Sequence, residues 1–255
     1  MREAGKAIEL FQLAFLEVAA VRLPLAEFAL KGGANMRFFF TSQRRSKDID
    51  FDYVGRRFEA FATRVDEVLE SPALAALLRQ RGLTLVDPRR SRQTLTTRRW
   101  KLGLQAPHVR DASSKLEFSA RADAPADYEL RAVDSLLAAR LGARSVRINR
   151  YGPVGMITHK IGALRMRAET QPRDIFDLDL LLRLHPTALA KAPLGPRALE
   201  EARDRALALT YQEYRSTVVD YLEEDVVDVL GSEAAWNDMV LRVTETLDAR
   251  LVELA

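Results

Sequence analysis

The segment LKGGANMRFFFTSQRRSKDIDFDY, residues 30–53, permits few folds. It opens at the end of a short apolar run, EFALK, that reads as a strand, breaks at Gly32-Gly33, and continues into ANMRFFF, which reads as the start of a helix. It closes on DIDFDY, where polar and apolar residues alternate with the period of a half-buried strand. Strand, tight turn, helix and strand in so short a stretch predict an α/β arrangement.

The flanking chain extends that reading. Ile8, Phe11, Phe15, Val18 and Ala19 fall at helical spacing within residues 3–23, which predicts an amphipathic helix ended by Pro24. Helical patterns follow at about 57–70 and 73–81, with short strands at 83–86, 94–105 and 115–120. Beyond Pro125 the pattern turns helical: a helix near 130–140, one brief strand at 145–150, a Gly-Pro turn at 152–153, and helices at about 154–168, 173–184, 197–230 and 233–253. The expected organisation is an α/β (α+β) domain over 1–125 and a helical domain over 126–255.

Composition narrows the chemistry. The 255 residues include no cysteine and only three scattered histidines, which excludes disulfides, thiolate catalysis and cysteine- or histidine-based zinc sites. Glu9, Glu17 and Arg22 interrupt the apolar N-terminal stretch, so neither a signal peptide nor a membrane span is expected, and the cytoplasm is the expected location. The net charge of +3 conceals a polarity along the chain. Residues 1–173 hold 31 Lys and Arg against 19 Asp and Glu (net +12), whereas 174–255 hold 8 against 17 (net −9). Such a basic portion fits an acidic partner such as nucleic acid, though solvated arginine-rich faces explain it equally well.

The Gly-Gly turn between strand and helix presents backbone N–H groups at a positive helix end, an arrangement suited to phosphate oxygens. Asp48 and Asp50 lie two apart on the next strand, so both carboxylates share a face and can share divalent cations. Either half alone is common structural furniture, a turn or a charged strand edge. Together, two like charges on one half-buried strand call for a cation, and Mg²⁺ prefers carboxylate and phosphate oxygens.

These residues resemble the AbiEii/AbiGii-type nucleotidyltransferase toxins, with the MenT-type toxins, within the DNA polymerase beta-like nucleotidyltransferase superfamily. The hallmark is a Lys-Gly-Gly turn followed by R-x-S-x-D-x-D. Lys31, Gly32 and Gly33 match the turn, and Arg44, Ser46, Asp48 and Asp50 match the segment. The chain departs from the family in Ala34-Asn35-Met36, where Thr-Ala-Leu is frequent, and in Lys47, where an acidic residue is common. Ala34 thereby lacks a hydroxyl that could contact phosphate. A third carboxylate on a neighbouring strand belongs to the superfamily, and Glu117 in KLEFSAR stands where that strand is expected, with Asp111 and Asp123 as alternatives.

A later block, MITHKIGALRMRAETQPRDIFDLDLLL at 156–182, is similar to the family's K-x-x-A-x-x-x-R followed by R-D-x-x-D-L. Lys160, Ala163, Arg167, Arg173, Asp174, Asp177 and Leu178 fill those positions. Lys160 and Arg167 are two helical turns apart and would share a face able to bind a triphosphate, while Arg165 points elsewhere. Asp174, near a helix start, equally serves to complement the helix dipole. Asp177 fits a supporting role beside Arg173 or Arg167.

The resemblance implies a polymerase-beta-like minimal nucleotidyltransferase domain with a mixed sheet, followed by helices that complete the nucleotide site. It implies Mg²⁺, two ions or Mn²⁺ in their place, held by Asp48, Asp50 and Glu117. Lys31, Gly32, Gly33, Ser46, Lys160 and Arg167 would contact an NTP, with Lys160 and Asp174 catalytic and Arg44, Arg173 and Asp177 in support. The implied reaction transfers NMP to an acceptor, with the tRNA 3′ end foremost, and the implied partner is a cognate antitoxin. A protein AMP-transferring enzyme and a non-catalytic nucleotide-binding module are the competing readings.

Overall fold

The computed structural model describes residues 2–107, 109–120 and 127–255, and among these not the side chains of Arg2, Arg110 and Asp111. The predicted alternatives Asp123 and the Asp111 side chain therefore lie outside the described part. Two compact units separate: Met1–Thr41, Arg45–Ala124 and Tyr128–Tyr151 form the first, and Ser42–Arg44, Pro125–Asp127 and Gly152–Ala255 the second.

In the first unit α1 (Arg2–Arg22) precedes β1 (Phe28–Lys31), α2 (Gly32–Phe39), β2 (Ile49–Tyr53), α3 (Phe58–Leu69) and α4 (Pro72–Gln80). Three longer strands follow, β3 (Thr84–Thr94), β4 (Thr97–Ala106) and β5 (Val109–Ser119), then β6 (Tyr128–Ala132), α5 (Ser135–Arg140) and β7 (Arg147–Tyr151). The strands form one mixed sheet in the order β3-β4-β5-β2-β1-β7-β6. β2 runs antiparallel to β1 and parallel to β5, and β7 runs parallel to β1.

Alternation along β2 divides the sheet into two chemically distinct faces. Ile49, Phe51 and Tyr53 point into the core, where Phe51 stacks on Phe118 at 4.7 Å between ring centroids and Phe28, Phe61 and Trp100 meet the same cluster edge-on or tilted. Phe11 and Phe15 of α1 and Phe61, Val65 and Leu69 of α3 complete that core. Asp50 and Asp52 are left on the opposite face. Local chemistry agrees with these elements: Pro72 opens α4, and the Ser71 hydroxyl accepts from the Leu74 N–H at 3.2 Å.

The second unit is helical: α6 (Pro153–Met166), α7 (Pro172–Leu184), α8 (Ala188–Lys191), α9 (Pro196–Leu207), α10 (Tyr211–Thr217), α11 (Val227–Leu230) and α12 (Glu233–Leu254). Proline at the first helical position starts α6, α7 and α9. Its core includes Trp236 stacked on Tyr214 at 4.7 Å. Among the described residues no helix is long and apolar enough to cross a membrane.

Two expectations are corrected. The helix read at 130–140 is strand β6 followed by the shorter α5, because residues 128–132 pair with β7. The expected domain boundary at 125 falls among residues outside the described set. Finally, the long helix read over 197–230 is broken where Thr210 and Glu213 form a capping box that starts α10 afresh.

Phe118 touches four other rings and is fully buried. Replacing it with alanine is expected to lower the unfolding free energy by about 3–5 kcal/mol, measured by urea denaturation.

Candidate active-site residues

The carboxylate face of the first unit is a cross-strand row. Lys31 on β1 stands opposite Asp50 on β2, and Asp50 stands opposite Glu117 on β5. Register places all three on the face away from the aromatic core. Asp48 precedes β2 by one residue, and its Oδ1 accepts the Lys115 backbone N–H at 3.2 Å.

Gly32 begins α2 with φ +69, a left-handed conformation that disfavours any side chain. A Cβ built there would lie 3.0 Å from Oδ2 of Asp50, so the missing side chain is what allows the helix start to approach the carboxylate. The N-cap residue of α2, Lys31, makes no side-chain hydrogen bond to the first turn, which lies at the positive end of the helix. Gly33 follows in the same turn. Asn35, where the family pattern differs, donates from Nδ2 to the Tyr151 carbonyl at 3.0 Å and so ties α2 to β7.

Lys31 is held by an interaction that sequence reasoning missed. Its Nζ donates to Oδ1 of Asp52, which is 1% exposed, and the Tyr151 hydroxyl donates to Oδ2 of the same carboxylate at 2.9 Å. Burial and the neighbouring Asp52 charge push the Tyr151 pKa up, so this hydroxyl stays protonated and keeps donating. The signal was present in the sequence, because Asp52 is the third member of the Asp48, Asp50, Asp52 alternation.

Glu117 stands in register with Asp50, but it is already engaged. Arg99 on β4 donates to its Oε2 at 2.6 Å, and Ser119 donates to Oε1 at 3.2 Å. Among the described residues no three His, Asp or Glu side chains converge as a ready-made metal cage. The hard oxygen donors of Asp48 and Asp50 fit Mg²⁺ by type, whereas Glu117 fits as a third ligand only after parting from Arg99. The Ser46 hydroxyl donates to the Asp48 carbonyl at 2.8 Å, fixing the approach to β2.

The predicted residues of the second unit form a buried ion-pair network. Lys160 on α6 donates from Nζ to Asp174 Oδ1 at 3.1 Å and to Asp177 Oδ2, both on α7. Arg44 lies 3.0 Å from Asp177, and Arg167 lies 2.8 Å from Asp174. Two readings change. Helix α6 ends at Met166, so Arg167 is the first residue beyond it and meets Lys160 through shared Asp174 rather than along a helix face. Asp177 takes Arg44 and Lys160 as partners in place of Arg173 or Arg167, and Arg173 sits half-buried in the first turn of α7. Arg165 pairs with Glu201 at 2.8 Å, away from Lys160.

A family model described as nucleotidyl transferase AbiEii toxin, type IV TA system, matches residues 15–253. The chain belongs to the AbiEii family. Solved structures share the fold. JHP933 from Helicobacter pylori aligns over 100% of this chain and 97% of its own, with TM-score 0.62 at 18% identity. MenT4, a nucleotidyltransferase toxin from Mycobacterium tuberculosis H37Rv, aligns over 100% and 89% with TM-score 0.59 at 17% identity. No curated protein matches significantly. This AbiEii chain is accordingly a nucleotidyltransferase of a toxin–antitoxin system.

Gly32→Ala is expected to cost about 1–3 kcal/mol of stability, read by denaturation, because alanine must adopt the left-handed backbone against Asp50. Asp177 supplies a pH signature. Burial alone would raise its carboxyl, but the Arg44 and Lys160 charges outweigh that and hold it below the ordinary carboxylate range. Its stabilisation is therefore present above its unfolded value of about 3.9 and lost as pH falls through the lower folded value. Unfolding free energy should fall below about pH 4 in the natural protein. In Asp177→Asn, less stable at neutral pH, that acid loss should be smaller, so the two curves converge in acid.

Proposed function

We propose that this AbiEii enzyme transfers a nucleoside monophosphate from an NTP to a hydroxyl at the 3′ end of an RNA, with tRNA as the acceptor. The observation that carries the reading is the positive-φ Gly32, whose absent side chain lets the start of α2 approach Asp50. The N–H groups of that first turn would take phosphate oxygens, and Lys31, anchored by Asp52, holds a fixed positive charge beside them. Asp48 and Asp50 would hold Mg²⁺, or Mn²⁺ in its place, with Glu117 joining on release from Arg99. When bound, the cations offset charge at the α-phosphate and make the acceptor hydroxyl easier to deprotonate.

The acceptor oxygen bonds to the α-phosphorus, the bond from that phosphorus to the α–β bridging oxygen breaks, and pyrophosphate leaves. The acceptor proton passes to solvent or a carboxylate. Asp174 is fully buried between Lys160 and Arg167, so it acts by positioning those cations rather than by meeting the acceptor itself. Lys160 could take up a phosphate only by exchanging a carboxylate partner for it. The net +12 of residues 1–173 favours a polyanionic acceptor over a protein. Membership of a toxin–antitoxin family supports a cognate antitoxin as the partner.

The test incubates the enzyme with labelled NTP, total RNA and total protein. Label in tRNA supports the proposal, label in protein alone overturns the acceptor, and no transfer overturns the reaction. Asp50→Asn should cut transfer about a hundredfold or more while shifting the melting temperature by no more than about 4 °C. Wild-type turnover by that variant would remove Asp50 from the site.

A further inference from the structure

The face of the sheet that carries Asp50 and Glu117 continues outward across β5, β4 and β3, and there it is strongly basic. Two positions before Glu117, Lys115 points to the same side. Lys115 stands directly opposite Lys101 on β4, and Lys101 directly opposite Arg89 on β3. Three cations thus occupy one cross-strand row, with strands about 4.8 Å apart. Their neighbours on the reverse side, Trp100, Leu102 and Leu116, are buried, so the row belongs wholly to the outward face.

Like charges placed directly opposite one another on a sheet destabilise it. A fold that needed only a solvated face would gain by alternating signs, as Arg99 and Glu117 do one step along. The row is only sparsely neutralised from within. Lys101 has no carboxylate partner among the described residues, Arg89 meets the exposed Asp87 at 3.3 Å, and Lys115 lies 3.7 Å from Asp48. Arg89, Lys101, Lys115 and Lys47 line one open cleft of about 440 Å³, and Asp48 belongs to the same lining.

We infer that this cleft seats the single-stranded 3′ end of the acceptor, its successive phosphates lying along Arg89, Lys101 and Lys115 so that the terminal hydroxyl arrives at Asp48. The inference rests on the proposed RNA acceptor and adds where that RNA lies. Charge decides the occupant: a row of spaced cations matches a chain of phosphates, and Asp48, 3.7 Å from Lys115 in the same cleft, is the carboxylate proposed above for the transfer site. Among the described residues the cleft lining holds no aromatic side chain on which a base could stack. It would therefore read backbone and not base sequence, and base preference must come from elsewhere.

The experiment measures binding of a labelled single-stranded RNA of about twelve nucleotides by fluorescence anisotropy at several salt concentrations. The Arg89→Gln/Lys101→Gln double variant is compared with the natural protein and with Arg197→Gln, which removes an exposed charge of the helical unit. Each phosphate contact on a single strand contributes about 0.7 to the log–log salt slope, so the double variant should lose about 1.4 of slope. Between about 50 and 200 mM salt the natural protein should then lose roughly sevenfold more affinity than the variant. Arg197→Gln should keep the full slope. Both replaced side chains are exposed and the change relieves repulsion, so the melting temperature should hold or rise.

An unchanged slope and affinity in the double variant, with normal RNA labelling by the natural protein, would overturn the cleft assignment alone. Failure of the natural protein to bind or label RNA while it labels protein would overturn the acceptor reading and the cleft with it. An equal loss of slope in Arg197→Gln would show diffuse charge attraction and also overturn the cleft.

Discussion

The stacking of Phe51 on Phe118 fixes the position of nearly everything else in the first unit. The two rings belong to adjacent parallel strands, and their contact sets the register in which Asp50 faces Glu117. A slip of one residue would turn Phe51 to the outward face and bury Asp50 among aromatic rings. Hydrophobic burial thus enforces an electrostatic arrangement that nothing polar would hold by itself. The same register places Lys31 on the other side of Asp50, so a central carboxylate is bracketed by a cation and an acid.

The two units use charge differently. In the sheet, Asp48, Glu117 and Lys115 lie on the outward face and are only partly buried, whereas Asp52 is enclosed beside Lys31. In the helices, Asp174 and Asp177 are buried and ion-paired with Lys160, Arg44 and Arg167. A buried pair of this sort gains little net energy against its desolvation, but removing one member leaves the others unpaired at a cost of about 3–5 kcal/mol. Substitutions in that network therefore act on folding first, whereas on the proposed reaction substitutions at Asp48 or Asp50 would lower activity with little effect on folding.

The parts of the structure legible in the sequence are those dictated by local chemistry. The Gly-Gly break, the DIDFDY alternation and the proline helix starts each have a cause within a few residues, and the elements stand close to where those signals put them. What was hidden depends on partners far away in the chain. Residues 128–132 carry no clear strand pattern, because an edge strand with mostly exposed side chains needs only a neighbour to pair with, and β7 supplies it. Likewise β3 runs through ProArgArgSerArg without an apolar repeat, since its outward side is cationic and its pairing with β4 includes two irregularities.

The site shows the same divide. Asp48 and Asp50 could be chosen because strand geometry alone gives them a common face. Asp52 shares that face and was overlooked, because nothing local distinguishes a carboxylate that binds a ligand from one that anchors a lysine. Only the Tyr151 hydroxyl, about a hundred residues along, and the buried position of Asp52 make that distinction. The surroundings of Lys160 were hidden for the converse reason. Its helical spacing from Arg167 suggested an open phosphate-binding face, but the helix stops one residue short and two aspartates from the next helix enclose the ammonium. Spacing fixes which side chains can be neighbours. Whether a charge is then spent inside the protein or offered to a ligand is decided by the acids that tertiary packing brings to it.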